Sequence, residues 1–138
     1  MHDSNQVLMG STASSFKTVE SHVGEVAAGL AVVLTSADEL STTLASGSLL
    51  GVSLGKDLSD TNQCPIVRRG SLVPILLQSN GVNPAIGAPV YLHATSGKAD
   101  TTGTLVNAVY ASGELDAVLE DGSIVADGCA YINFPGGL

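Results

Sequence analysis

Leu115-Asp116-Ala117-Val118-Leu119-Glu120 is the stretch that decides the fold, and Asp121-Gly122 follows it directly. Its apolar residues, at positions 115, 117 and 119, alternate with acids at positions 116 and 120. Successive side chains of a strand point to opposite faces, so this period of two predicts a strand with one buried face. The Asp-Gly step tolerates positive φ, as a tight turn requires. The stretch therefore predicts an antiparallel strand and its turn.

The same alternation recurs along the chain at positions 50, 52 and 54 and at positions 130, 132 and 134. Short apolar runs between turn residues predict strands at 17–23, 30–35, 49–54, 65–69, 72–78, 89–93, 105–110, 115–119 and 129–134. Residues 36–46 are the one helical candidate, since Ser36 and Glu39 fit a capping box, but we expect two turns at most. The pattern predicts an all-β fold, an antiparallel β-barrel or β-sandwich. Alternation does not encode strand order, so a jelly roll is equally open.

Composition predicts one domain with little charge on its surface. The chain has 138 residues, 44% of them hydrophobic and 13% charged, against about 25% charged in an average domain. Residues 16–138 are interpreted as a single β domain, and the polar residues 1–15 as an extended N-terminal arm. We expect deletion of this arm to leave the domain folded and to weaken binding to a partner.

Charge and cysteine usage exclude several classes of partner. The net charge is -8 and no Lys or Arg follows Lys98, so we expect no direct nucleic-acid binding, which requires clustered cations. No apolar stretch approaches the roughly 18 residues that a membrane span requires. Cys64 and Cys129 have no C-x-x-C partner, which favours buried thiols over a disulfide or a zinc site. The polar N-terminus does not resemble a signal peptide, so we expect synthesis in the cytoplasm.

The catalytic pattern that comes nearest to completion is Gly51-Val52-Ser53-Leu54-Gly55, a G-x-S-x-G match. A nucleophile elbow needs a strand, a tight turn and then a helix, with an acid and a histidine downstream. His93 follows Asp57 and Asp60, but residues 56–60 read as a polar turn. The alternation of this strand makes Ser53 a plain polar residue on the opposite face. We therefore predict no enzyme, no catalytic residue, no cofactor and no metal site, and we interpret the isolated His2, His22 and His93 as surface residues.

Two segments of the chain echo each other. Gly-Leu-Ala-Val-Val-Leu at 29–34 resembles Gly-Ala-Pro-Val-Tyr-Leu at 87–92. Either a duplicated β-unit or two hairpins under the same constraints would produce this echo.

Three runs of the sequence, at 26–35, 49–55 and 86–98, resemble bacteriophage capsid decoration proteins, also called cement proteins. They read Val-Ala-Ala-Gly-Leu-Ala-Val-Val-Leu-Thr, Leu-Leu-Gly-Val-Ser-Leu-Gly and Ile-Gly-Ala-Pro-Val-Tyr-Leu-His-Ala-Thr-Ser-Gly-Lys. The resemblance implies a virion structural protein on the outer surface of the phage head. Such a protein bridges subunits of the major capsid protein, stabilises the shell and acts in many copies, as a dimer or trimer at symmetry axes.

Two other functions remain open from the sequence. A carbohydrate-binding module or tail-fibre domain would stack sugars on exposed aromatic residues, and Tyr91 and Tyr110 could share a surface. The third possibility is a small hydrolase that acts through Ser53. Co-sedimentation with capsids, a glycan array and an ester substrate distinguish the three.

Overall fold

Apolar runs fold into strands wherever glycine, asparagine and aspartate supply the turns between them. A computed structural model describes residues 6–10, 17–55, 63–78 and 81–138. Its strands are β1 (Gln6–Leu8), β2 (Lys17–Val23), β3 (Ala31–Thr35), β4 (Leu40–Ser41), β5 (Gly47–Ser53), β6 (Gln63–Leu76), β7 (Pro89–Leu92), β8 (Ala99–Asp100), β9 (Thr104–Tyr110), β10 (Leu115–Val118) and β11 (Ile124–Phe134). The predicted all-β class is therefore confirmed.

The described strands form one sheet, in the order β4-β3-β5-β6-β11-β9-β7-β8. Three further pairings leave this path: β2 with β6, β10 with β11, and β1 with β10. Every pairing is antiparallel except that of β1 with β10, which is parallel. An isolated bridge between Leu77 and Ala99 brings the far end of the sheet near β6, but the sheet is not closed.

The two halves of the sheet repeat one arrangement of strands. In the first half β3 lies between the two-residue β4 and the seven-residue β5, and in the second half β7 lies between the two-residue β8 and the seven-residue β9. The two longest strands, β6 and β11, meet in the middle. The sequence echo at 29–34 and 87–92 thus falls on β3 and β7, which hold equivalent places.

The main core is mostly aliphatic and lies under β5, β6, β7, β9 and β11. Its fully buried side chains include Val52, Val67, Ile75, Leu92, Ile132 and Phe134. A smaller cluster, including Val32 and Ile66, covers the other face of β5 and β6. The two strands approach closely at Gly51, where a Cβ would overlap the Val67 carbonyl oxygen. Only glycine fits there, which explains the Gly-Val step of this strand.

The described part of the predicted arm packs on its own domain. Val7 and Met9 are 2% and 4% exposed, and they form a cluster with Ala28, Ala117 and Cys129. Met9 lies over Gly29, whose φ of 84° disfavours any side chain and whose missing Cβ leaves room for the end of the Met9 side chain. The proposed arm boundary at residue 15 lies outside the described residues, as do residues 1–5.

The helical candidate at 36–46 is wrong except for a single 3-10 turn at Leu44–Ser46. Thr35 starts a tight turn instead: its carbonyl accepts from the Asp38 N–H, and its N–H donates to the Glu39 carbonyl. Asp38 adopts the left-handed backbone conformation, with φ 58°, and the chain then forms β4, which pairs antiparallel with β3. Short polar and β-branched residues favour such a turn over a helix interior. No helix in the described residues is long and apolar enough to cross a bilayer.

Candidate interaction face

The outer surface of β9 exposes apolar side chains in a regular row. Along this strand Val106 and Tyr110 point into the core, while Leu105 and Val109 are 59% and 41% exposed. Asn107 lies between them on the same outer face. An exposed leucine or valine alone is ordinary, so the neighbours of this row decide whether it forms a patch.

The neighbouring strands extend this row into a continuous surface. Pro89 and Tyr91 on β7 are opposite Val109 and Leu105, and Asn133 on β11 is opposite Val109. We name the surface the β9 face, and its members are Pro89, Tyr91, Leu105, Asn107, Val109 and Asn133. A shallow depression of about 400 Å³ lies on it, bordered also by Pro135 and Gly136.

The six side chains of the β9 face carry no charge. Asn133 Oδ1 accepts from the Leu72 N–H (2.8 Å), and Asn107 Nδ2 donates to the Gly137 carbonyl (3.3 Å). Asp100, opposite Tyr91 on β8, bounds the face on one side. On another side Arg68 and Arg69 line a depression together with Asn107. The centre of the face is therefore uncharged and its charges lie at the rim, which is a property of interfaces.

Tyr110 does not share this surface with Tyr91, so that expectation from the sequence is wrong. Tyr110 is 4% exposed on the inner side of β9. Burial, and the nearby charge of Asp100, raise the pKa of its hydroxyl. Within the described residues this hydroxyl has no hydrogen-bond partner. Tyr110 is thus a core residue.

A second exposed apolar row lies where β1, β10 and the start of β11 run side by side. Leu8 is opposite Val118, and Val118 is opposite Ile124. Leu8 and Ile124 are 48% and 57% exposed. We name this surface the ribbon tip, and its members are Leu8, Val118, Ile124, Glu120 and Asp121.

Two acidic side chains in or near the ribbon tip accept hydrogen bonds from neighbouring residues. Asp121 accepts hydrogen bonds from the Ser123 N–H (2.9 Å) and hydroxyl (2.6 Å), which lower the pKa of its carboxyl. Asp116 Oδ1 accepts from the Asp127 N–H at 3.0 Å. Glu120 and Asp121 are exposed.

Ser53 is a structural residue in this fold. It lies on the face of β5 opposite Val52, as predicted, but it is 1% exposed because a second cluster covers that face. Its hydroxyl donates to the Val26 carbonyl (2.9 Å), accepts from the Gly55 N–H (2.9 Å) and lies 3.2 Å from the Cys64 sulfur. No surface of Ser53 is open to a substrate. Asp57 and Asp60 lie outside the described residues.

Both cysteines are buried free thiols, as the sequence predicted. Burial, with a smaller contribution from the Asp116 charge, raises the pKa of Cys129 to about 12. A thiolate is the reactive form, so this thiol is inert in the folded chain.

The described histidines have local partners. His93 Nδ1 accepts from the Ser96 N–H at 3.1 Å and so closes a turn. His22 Nε2 lies 3.1 Å from Glu20 Oε1. Within the ranges that the structure describes, no three His, Cys, Asp or Glu side chains are placed to hold a metal ion. His2 lies outside those ranges.

Comparison with known proteins returned no matching family model, no matching curated protein and no matching solved structure.

Proposed function

We propose that this chain is a virion structural protein of the cement type, which binds the outer surface of a phage head through its β9 face. It would bridge neighbouring subunits of the major capsid protein and stabilise the shell. The observation that carries the proposal is the β9 face: six uncharged residues on three paired strands, with Leu105 at 59% exposure.

The rigidity of this face supports the proposal. Val106, Ala108 and Tyr110 anchor its central strand in the main core, so the outer side chains sit on a fixed backbone. A surface that is already ordered loses little conformational entropy when a partner covers it. Binding to an assembled shell, and not to free subunits, stabilises that shell by mass action.

The runs that carry the resemblance to decoration proteins also support it. Residues 26–35, 49–55 and 86–98 contain β3, most of β5, and β7 with its following turn. Equivalent strands of the two halves thus hold two of the three runs. The proposed site of action is the outside of the virion, after synthesis in the host cytoplasm, with further copies of the chain as a second partner.

Co-sedimentation with assembled heads tests this function. Heads of the phage that encodes the chain, prepared without it, are mixed with increasing amounts of the pure protein. We expect saturation at a fixed ratio to the major capsid protein. A wild-type chain that stays in the supernatant at every concentration would overturn the proposal.

A pair of matched variants tests the face. Leu105→Asp places a carboxylate on the β9 face and is expected to weaken head binding at least tenfold, about 1.4 kcal/mol. Ile124→Asp, at nearly the same exposure (57%) on the ribbon tip, is expected to bind like wild type. Equal binding by both variants would place the contact elsewhere on the chain.

The glycan-binding alternative has less support. Of the two tyrosines that the sequence suggested for sugar stacking, only Tyr91 lies on the β9 face, and Tyr110 is buried. Binding on a glycan array that Tyr91→Ala abolishes would favour this alternative over a cement role.

A further inference from the structure

β2 presents a long strand edge that no other strand of the described residues covers. Its seven residues pair with β6 on one side, and among the described residues no strand pairs with the other side. Val19 and Val23 are 44% and 69% exposed. An uncovered edge of this length is a template for another strand, which natural proteins usually block.

The direction in which the backbone N–H and C=O groups of β2 point follows from Pro65, which is opposite Ser21. The Pro65 carbonyl accepts from the Leu54 N–H (2.9 Å), away from β2, and proline has no N–H of its own. Ser21 and Pro65 are therefore a non-hydrogen-bonded pair, and the N–H and C=O of Ser21 point to the free edge. Those of Val19 and Val23, two residues away, point the same way.

The other half of the molecule covers the corresponding edge. β10 pairs with β11 as β2 pairs with β6, but β1 adds to the second edge of β10, where Gln6, Val7 and Leu8 pair with residues 116–118. A strand is thus what this fold uses to complete such an edge. The described chain supplies one for β10 and none for β2.

The sequence of β2 is complementary to itself when it is reversed. Around Ser21 it reads Val-Glu-Ser-His-Val, so an antiparallel copy centred on Ser21 sets Val19 opposite the second copy's Val23. The same register sets Glu20 opposite the second copy's His22. Each of these two contacts occurs twice in the dimer. Because side chains alternate along a strand, the valine contacts lie on one face of the strand pair and the Glu20–His22 contacts lie on the other.

We propose that two copies of this chain form a two-fold dimer by antiparallel pairing of their β2 strands, centred on Ser21. The outward N–H and C=O groups of Val19, Ser21 and Val23 then hydrogen-bond across the axis. Like every closed two-fold contact, the interface uses one patch of each copy. The proposal goes beyond head binding and needs no capsid.

Charge selects this register over its neighbours. Each copy already holds Glu20 against His22 (3.1 Å) and Arg68 (3.3 Å). The register centred on Glu20 would set the two Glu20 carboxylates opposite each other, and the one centred on His22 would set two imidazoles opposite each other. Like groups directly opposite each other destabilise a strand pair, whereas an acceptor opposite a donor stabilises it.

Sedimentation velocity and light scattering on the full chain test the dimer. We expect twice the 13.9 kDa chain mass at micromolar concentration. Ser21→Pro removes an N–H that the β2–β6 pairing does not use, and an edge strand accepts proline at such a position. Val23→Asp places a carboxylate opposite an apolar residue. Each change enters the interface twice, so we expect each to raise the dissociation constant at least about tenfold.

Val125→Asp is the matched control, since Val125 is exposed on β11 and away from β2. It is expected to dimerise like wild type. Circular dichroism on all three variants shows whether the fold is kept, and Val23→Asp decides the outcome if Ser21→Pro unfolds.

Cross-linking tests the register itself. Ser21 is the one residue of β2 that meets its own copy, at a Cα distance of about 5.5 Å for a hydrogen-bonded pair, within the range of a disulfide. Ser21→Cys should therefore cross-link into a covalent dimer on oxidation. Val19→Cys and Val23→Cys, each alone, should not. The native thiols are buried and do not compete.

Four outcomes would overturn the proposal. They are a chain that stays monomeric up to about 1 mM, a trimer, a dimer that Val23→Asp leaves unchanged, and cross-linking through Val19→Cys but not Ser21→Cys. Head binding by a monomer would overturn the dimer and leave the proposed function standing. A dimer that does not bind heads would overturn the proposed function and leave the proposed dimer standing.

Discussion

The β9 face and the ribbon tip expose apolar side chains to nearly the same extent, yet they differ in what surrounds them. Leu105 is 59% exposed among uncharged neighbours, and Ile124 is 57% exposed beside Glu120 and Asp121. A partner that covers the ribbon tip must desolvate those carboxylates, whereas one that covers the six residues of the β9 face meets a carboxylate only at its edge, at Asp100. Exposed apolar area alone therefore does not identify an interface, because the charges beside it decide the free energy of covering it.

The two surfaces also differ in what lies beneath them. The β9 face rests on the main core through Val106 and Tyr110. The ribbon tip rests on the small cluster that Val7 and Met9 complete. The stability of the ribbon tip thus depends on a strand of only three residues.

Met9→Ala is expected to give the largest effect of the single substitutions. It removes a buried side chain that Gly29 is shaped to accept, so we expect a loss of about 2–5 kcal/mol in the free energy of unfolding. Leu8→Ala, at the adjacent residue, which is 48% exposed at the end of β1, should lose less than about 1 kcal/mol. Urea unfolding of the two variants checks this, and equal losses would contradict the packing described here.

The same cluster revises the expectation that residues 1–15 can be removed without harm to the domain. Their deletion exposes Ala117 and Cys129, so we now expect lower stability as well as weaker head binding. Unfolding of the truncated chain at the wild-type urea midpoint would contradict this.

Thiol reactivity distinguishes the cluster that contains Cys129 from the cluster that contains Cys64. At pH 8 the native chain should react slowly with a thiol reagent, because Cys64 and Cys129 are buried and the pKa of Cys129 is about 12. Met9→Ala removes part of the cluster that covers Cys129. It should raise the reaction rate of the Cys129 thiol at least tenfold, which corresponds to a decrease of about 1.4 kcal/mol in the free energy of local opening. Cys64 packs in another cluster and serves as the internal control. Equal acceleration of both thiols would indicate global unfolding instead.

Tyr110→Phe tests the underside of the β9 face. The hydroxyl is buried and has no partner among the described residues, which costs free energy, so its removal should stabilise the chain by up to about 1 kcal/mol. Tyr91→Phe, on the outer side, should leave the melting temperature unchanged. A loss of stability in Tyr110→Phe would mean that the hydroxyl has a partner after all.

The smallest expected effect concerns the pH dependence of the ribbon tip. Hydrogen bonds from Ser123 lower the pKa of Asp121 in the folded chain. This contribution is present above the unfolded pKa of about 4 and is lost as the pH falls through the lower folded value. Asp121→Ala should therefore be slightly less stable than wild type at pH 6 and equal to it at low pH. Ser123→Ala should show the same convergence, and a difference that grows on acidification would contradict it.

Strand positions could be predicted from the sequence where alternation and turn residues agree. The prediction at 17–23 matches β2, and those at 89–93 and 115–119 match β7 and β10 to within a residue. The segment at 65–69 and most of that at 72–78 belong to one strand, β6, which continues through a register irregularity where Leu72 adopts φ 54° and its N–H donates to Asn133. That side chain lies 61 residues away in the sequence, so no local pattern contains the information.

The candidate face is a property of pairing and could be predicted only in part. Alternation on β9 places Leu105 and Val109 on one side, but it does not say which side faces the core. Their neighbours Pro89 and Asn133 come from strands that precede and follow β9. Likewise the burial of Ser53 could not be predicted, because the cluster over it includes Leu50, which the period of two at 50, 52 and 54 grouped with Val52 and Leu54 of the main core.

The meeting of β6 and β11 at the centre of the sheet has a consequence for how the chain acquires its shape. Gly70 pairs with Phe134 and Leu76 with Cys129, so the central ladder closes only after distant parts of the polypeptide have met. Chains dominated by such non-local pairing fold slowly, over milliseconds to seconds. During that interval the long central strands have open edges, and crowded nascent copies are prone to pair with one another before each completes itself.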